Sequence, residues 1–237
     1  MTPTPSKYDL CERRFLFIRI FLSKHILFNR DVHGLQICLD ARFIVFVGRI
    51  VPNKKFEDVI ACFAAYKKKY DPAARLFLVG NYQETDAYYQ HLQEYIKECG
   101  VENVIFPGHI AFRTILAYYK IADLFLCMSE HEGFCVPLVE AMFFETPIVA
   151  YASTAIPGTL GGSGVLVESK EPERVAEKIH QVIEDEQYKN EIVKEQKKRL
   201  QDFSYENIKE QILDELKKVQ QSKIDKVRNQ NGEEKAD

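Results

Sequence analysis

The stretch FIVFVGRIVPNKKFEDVI, residues 43–60, decides how the chain folds. Phe43–Val47 is an unbroken run of β-branched and aromatic residues, as expected of a strand buried on both faces of a parallel sheet. Gly48 then allows a close backbone approach, and Asn53 is a plausible cap for the helix that follows. In that helix Phe56, Val59 and Ile60, with Phe63 beyond, fall on one face at helical spacing.

The same strand–turn–helix rhythm continues to the right of this stretch. Further strands are predicted at Leu76–Val79, Val104–Phe106, Leu124–Met128, Ile148–Ala150 and Val165–Val167. Val175, Ile179, Val182 and Ile183 line one later helix. Ile208, Ile212, Leu216 and Val219 line a final one near 204–219, with Ser204 as its N-cap. Strands alternating with helices of this length imply an α/β, Rossmann-like doubly wound parallel sheet of about six strands. To the left, residues 1–42 begin with a Thr/Pro-rich tip and form no βα unit of their own. Residues 43–219 make the domain, and the polar tail 220–237 is expected to be disordered. There is no internal repeat.

A chain of 237 residues with 46% apolar side chains can bury a real core, and a net charge of −3 with scattered Lys and Arg excludes a general nucleic-acid binder. The six cysteines, at 11, 38, 62, 99, 127 and 135, show neither a C-x-x-C pair nor zinc spacing. They are expected to be reduced thiols in a cytoplasmic protein. The apolar run Phe15–Leu22 is far shorter than the roughly 20 residues a spanning helix needs, and Arg19 interrupts it. Packing on the domain is its plain reading, and peripheral contact with the inner face of a membrane is the alternative.

Ligands of open α/β sheets bind beyond the carboxyl ends of the strands. After the first strand stand Gly48, Arg49 and Lys54, beside a helix N-terminus, where two cations can clamp a phosphate without a metal. Gly80-Asn81 reads as a generic turn. Pro107-Gly108-His109 offers exposed backbone on which a flat base can lie. After the fourth strand comes SEHEGFCVPLVEAM, residues 129–142. Pro137 suits the first turn of a helix, which leaves Glu132, Gly133, Phe134 and Cys135 in the loop at its mouth. Glu140 sits one turn in, among Leu138, Val139, Met142, Phe143 and Phe144. A first-turn glutamate can merely complement the helix dipole, for about 0.3–1 kcal/mol. In so apolar a helix, however, a carboxylate needs partners, and the paired hydroxyls of a ribose would supply them. No D-x-D, P-loop or G-x-G-x-x-G sequence occurs, so no metal-held diphosphate, P-loop NTPase or dinucleotide site is expected.

Taken in order, Gly48-Arg49…Lys54, Leu76-Phe-Leu-Val-Gly80, Val104-Ile-Phe-Pro-Gly-His109, Glu132-x7-Glu140, Glu140-Ala-Met142, Thr146-Pro-Ile-Val-Ala150 and Phe203-Ser-Tyr-Glu206 resemble glycosyltransferase family 4, over residues 43–219. The resemblance implies one half of a GT-B enzyme, the half that binds a nucleotide-sugar, UDP- or GDP-hexose with mannose among the candidates. It implies retention of configuration, in polysaccharide or glycoconjugate synthesis. It assigns catalysis to Arg49, Lys54 and Glu132, with Arg49 and Lys54 holding the diphosphate. Donor contacts fall on Gly48, Gly108, His109, Gly133, Phe134, Cys135, Val136 and Glu140, with no metal and no other cofactor. Cys135 stands where many members have Gly, and Gly158 where many have Glu. Residues 1–42 are too few for the acceptor-binding half, so the resemblance implies a separate acceptor domain as partner. The rival reading is a non-catalytic interaction or regulatory protein, or an inactive fragment, on a transferase scaffold.

Overall fold

A computed structural model describes residues 41–233, with side chains through residue 222. The apolar run Phe15–Leu22 and nearly all of the N-terminal extension lie outside the described residues. The sheet has six parallel strands: β1 (Phe43–Val47), β2 (Arg75–Val79), β3 (Val104–Ile105), β4 (Leu124–Cys127), β5 (Ile148–Tyr151) and β6 (Val165–Val167). Every strand foreseen from the apolar runs is present, displaced by at most one residue at an end. Eight α-helices connect or follow them: α1 (Phe56–Lys69), α2 (Ala87–Glu98), α3 (Phe112–Ile121), α4 (Val136–Phe143), α5 (Ile156–Leu160), α6 (Pro172–Glu184), α7 (Glu186–Gln201) and α8 (Tyr205–Glu233).

The strand order is β3-β2-β1-β4-β5-β6. From β1 the chain moves outward through β2 to β3, then returns to the other side of β1 with Ile44 beside Leu124. The carboxyl ends of β1 and β4 therefore lie side by side where the direction of winding reverses, the point at which such sheets hold ligands. Helices cover the sheet in two groups. Helix α1 packs against α2 and α6, and α4 packs against α5 and α7. The apolar stripe Phe56, Val59, Ile60 and Phe63 is fully buried, as is Val175, Ile179 and Val182 of α6.

Polar groups close the seams. Gln196 of α7, fully buried, accepts from Ile148 N at 3.2 Å and donates to Thr146 O at 2.9 Å, satisfying the backbone where β5 begins. Ser204 is an N-cap as expected: Asn207 N donates to its hydroxyl at 3.3 Å. Asn53 is not. It lies in a short 3-10 turn, Pro52–Lys54, and Lys55 in the left-handed region (φ 52°) precedes α1 without a side-chain cap. Helix α8 also differs from expectation. Helical backbone continues past Val219 to Glu233, through Gln-, Lys- and Glu-rich sequence of good helix propensity in place of a disordered tail. Its apolar residues Tyr205, Ile208, Ile212, Leu216 and Val219 are exposed.

Gly80 proves to be more than a generic turn residue. A Cβ there would lie 1.9 Å from the Gly48 carbonyl oxygen, because Gly48 N donates to Val79 O at 2.9 Å and draws the two strand ends together. Gly80→Ala should therefore cost about 1–3 kcal/mol, and should be read as a lower urea midpoint at unchanged slope. A parent-like midpoint would show that the two loops can separate.

Candidate functional site

The loop after β1 and the loop after β4 meet at the reversal point, and their contact is polar throughout. Lys54 places its ammonium between both Glu132 oxygens, at 2.5 and 2.6 Å. Asn53 Nδ2 donates to His131 O at 3.1 Å, and Glu130 N donates to Asn53 O at 3.1 Å. Glu132 is only 8% exposed, and its ammonium partner is largely buried. Each charge in this pair is thus satisfied mainly by the other.

The loop after β5 supports Glu132 from behind. Glu132 N donates to Thr154 Oγ1 at 2.9 Å, and that hydroxyl donates to Glu132 O at 3.1 Å. Ser153 Oγ donates to Ser129 O at 2.5 Å. Further along, Thr159 Oγ1 donates to Phe134 O at 2.5 Å, and Arg199 donates to the carbonyls of Thr159 (3.0 Å) and Gly158 (2.6 Å). The Phe134 ring meets Phe203 edge to face at 5.4 Å. Gly133, Phe134 and Val136 remain exposed, and a Cβ on Gly133 would meet nothing within 4 Å. Gly133 thus leaves open space at the loop, whereas the Phe134 carbonyl is already engaged by Thr159.

Pro137 does fall in the first turn of α4, and Glu140 lies within the helix. The partner its apolar neighbours demanded is Tyr119 of α3, whose hydroxyl donates to Glu140 Oε2 at 2.8 Å. Burial, reinforced by the Glu140 carboxylate, holds the Tyr119 phenol well above its ordinary range, so it remains a donor. One carboxylate oxygen is thereby anchored and the other is left for a second donor. Among the described residues no hydrogen bond or ion pair joins Glu140 to Lys54 or Glu132. Arg49 is exposed and, among the described residues, forms no salt bridge. Gly108 and His109, beyond the edge strand β3, reach the junction only through neighbours. The Tyr82 hydroxyl donates to Phe106 O at 3.4 Å, and Ile50 N donates to Asn81 O at 3.5 Å.

Cys135 occupies a conformation that explains why glycine is common at its position. Its φ and ψ are both 64°, the left-handed region, and its side chain turns inward, leaving the residue 5% exposed. The inward thiol approaches Cys127 at the end of β4. A hydrogen bond from Cys135 lowers the Cys127 thiol and, with burial, raises that of Cys135.

The sequence does not disclose Tyr119, Thr154 or Lys170. Lys170, in the loop after β6, pairs with Asp58 at 2.7 Å and Glu130 at 3.0 Å and lies 4.7 Å over the Tyr151 ring. It ties the loop after β6 to the first turn of α1 and to the loop after β4. Nothing in the spacing of these residues marks them; only the sheet order brings them together.

Comparison with known proteins settles the lineage. The family described as glycosyl transferases group 1 matches residues 30–199. The chain belongs to this family. A curated relative, an uncharacterized glycosyltransferase of Methanocaldococcus jannaschii, is 26% identical over 204 residues, covering 84% of this chain and 50% of the relative. The glycosyl transferases group 1 chain thus spans about half the length of the curated relatives it matches. Among solved structures it resembles the C-terminal domain of the group 1 protein LpcC from Francisella tularensis. That match has 27% identity and a TM-score of 0.59, over 68% of this chain and 84% of that one. It also resembles Anabaena HepE, with 23% identity and a TM-score of 0.65, over 90% of this chain and 53% of that one. The fold is that of one half of a GT-B glycosyltransferase.

Two outcomes test the electrostatics of this family member's junction. Lys54→Met leaves Glu132 buried without its counter-charge and should cost about 3 kcal/mol in denaturant unfolding. Adding Glu132→Gln should recover most of that loss, and additive losses would refute the coupling. Separately, the hydrogen bond from Lys170 holds the Glu130 carboxyl below its ordinary range. A depressed folded pKa gives stability that is present above the unfolded carboxyl pKa and lost as pH falls through the folded value. Lys170→Met should therefore flatten the acid limb of a stability-against-pH curve, whereas a limb as steep as the parent's would assign the acid loss to other carboxyls.

Proposed function

We propose that the chain is the donor-binding half of a retaining glycosyltransferase that uses a UDP- or GDP-hexose in polysaccharide or glycoconjugate synthesis. The observation that carries this reading is the Lys54–Glu132 pair at the strand-order reversal, with Arg49 exposed in the same loop. Group 1 membership and the solution of HepE in complex with UDP and glucose support a nucleotide-sugar as the ligand.

In this reading the diphosphate approaches from the mouth of the β1 and β4 loops. Its oxygens take Lys54 from Glu132 and engage Arg49, two cations against the charge that grows as the sugar–phosphate bond breaks. Glu132, released from Lys54, accepts hydrogen bonds from the sugar. The free oxygen of Glu140 receives a ribose hydroxyl while Tyr119 holds the other, and the backbone of Gly133, Phe134, Cys135 and Val136 faces the hexose. Gly48 lets the phosphates approach the loop, and Gly108 and His109 flank the base. The acceptor hydroxyl attacks the face that the nucleoside diphosphate vacates, so configuration is retained. No metal takes part: the cations are the protein's own. The acceptor is bound by a separate domain, and contact with a membrane surface would serve a lipid-linked acceptor. No described helix is long and apolar enough to cross a membrane.

Isothermal titration with UDP, GDP and their hexose conjugates tests the proposal. Binding by one nucleotide series is expected, weakened at least tenfold, about 1.4 kcal/mol, in Arg49→Ala and in Glu140→Ala. Tyr119→Phe should weaken it less. No binding by any of these nucleotides at millimolar concentration would sink the reading, and parent-like binding by both alanine variants would sink the site assignment.

A further inference from the structure

The Sγ atoms of Cys127 and Cys135 and a carboxylate oxygen of Glu132 all lie within 4.8 Å of one another, and all three residues are buried. They come from the end of β4 and the loop after it, at spacings that match no zinc motif. We propose that this triad is a binding site for a thiophilic divalent cation such as zinc, cobalt or cadmium, held by two thiolates and one carboxylate.

Ligand type and spacing agree with that assignment. A tetrahedral cation bonded to sulfur at about 2.3 Å and to carboxylate oxygen at about 2.1 Å needs donor atoms roughly 3.5–3.8 Å apart. The three atoms are therefore within about an ångström of closure, and the fourth position is left to water. Thiolates select soft cations over magnesium or calcium. Ser129 Oγ, 3.5 Å from Cys127 Sγ, now accepts from the thiol and can donate to the thiolate. Gly133 and Phe134, in the loop between the ligands, are exposed.

Charge balance makes such binding permissible in a buried place. Without a cation the cluster holds two neutral thiols, the Glu132 carboxylate and the Lys54 ammonium, a sum of zero. On binding, both thiols lose their protons to solvent. Two positive charges on the cation, three negative ligands and Lys54 again sum to zero. The exchange of two protons for one divalent cation thus strands no charge in a region of low dielectric. It also sets the cation and Lys54 in competition for one carboxylate, the carboxylate that the donor reading assigns to the sugar. Cation binding itself does not depend on that reading; its effect on the donor does.

The test uses the full chain, reduced and then freed of reductant, titrated with cobalt chloride. One equivalent should bind with a thiolate-to-cobalt charge-transfer band in the near ultraviolet. Calorimetry in two buffers of different ionisation enthalpy should count two protons released per cation. Zinc should displace cobalt and bleach the band. Cys127→Ser and Cys135→Gly should each abolish it, the latter by a residue suited to the left-handed backbone, and Glu132→Gln should weaken binding at least tenfold. Circular dichroism and the urea midpoint confirm that each variant folds. Absence of the band in excess cobalt, a band indifferent to either cysteine, or a Cys127–Cys135 disulfide found in the reduced preparation would overturn the inference. Titrating UDP into the same sample keeps the two readings apart. Nucleotide binding, by UDP or by GDP titrated in a parallel sample, without cobalt binding defeats this inference alone, and cobalt binding with neither nucleotide bound defeats the donor reading alone.

Discussion

The structure turns on the hydrogen-bonded pairing of β1 with a strand on each side, β2 by an outward step and β4 by a return. A parallel sheet wound in this way must bring two loops from distant parts of the sequence to the carboxyl ends of two neighbouring strands. Lys54 and Glu132 are 78 residues apart and share a salt bridge because β1 and β4 are neighbours. The supporting contacts follow from the same fact. Thr154 reaches Glu132 because β5 adjoins β4, and Lys170 reaches Asp58 because α6 packs on α1.

Much of this was legible in the residues, and the pattern of what was not has a physical basis. Strands of a parallel sheet announce themselves as unbroken apolar runs, so Phe43–Val47, buried throughout, and Val165–Val167 at the sheet edge, with Leu166 exposed, could be placed to the residue. Helices α1 and α6 were legible from one apolar stripe each. Helix α8 was legible as a helix, but its periodicity could not say that the stripe would face solvent, since amphipathicity states what a face prefers and not what covers it. Asn53 looked like a cap because its residue type suits one. In the fold its amide is used instead to hold the His131 carbonyl.

The site divides along the same line. Arg49, Lys54, Glu132 and Glu140 stand out in the sequence as candidates because a charge beside an apolar run asks for an explanation. Their partners were not, because Tyr119, Thr154 and the Cys127 thiol are ordinary residues in ordinary surroundings until the chain is folded. The Lys54–Glu132 contact in particular joins two candidates that the sequence offers separately, and in the fold each satisfies the other.

One contact carries a mechanical consequence. Phe203, between α7 and α8, stands edge-on against Phe134, while Arg199 lies over its ring and holds the carbonyls of α5. The tip of the β4–α4 loop and the root of the longest helix therefore share a single aromatic bearing. A body seated on the exposed stripe of α8 would bear on a helix whose root is one ring away from the exposed Gly133, a route to the loop that does not pass through the sheet.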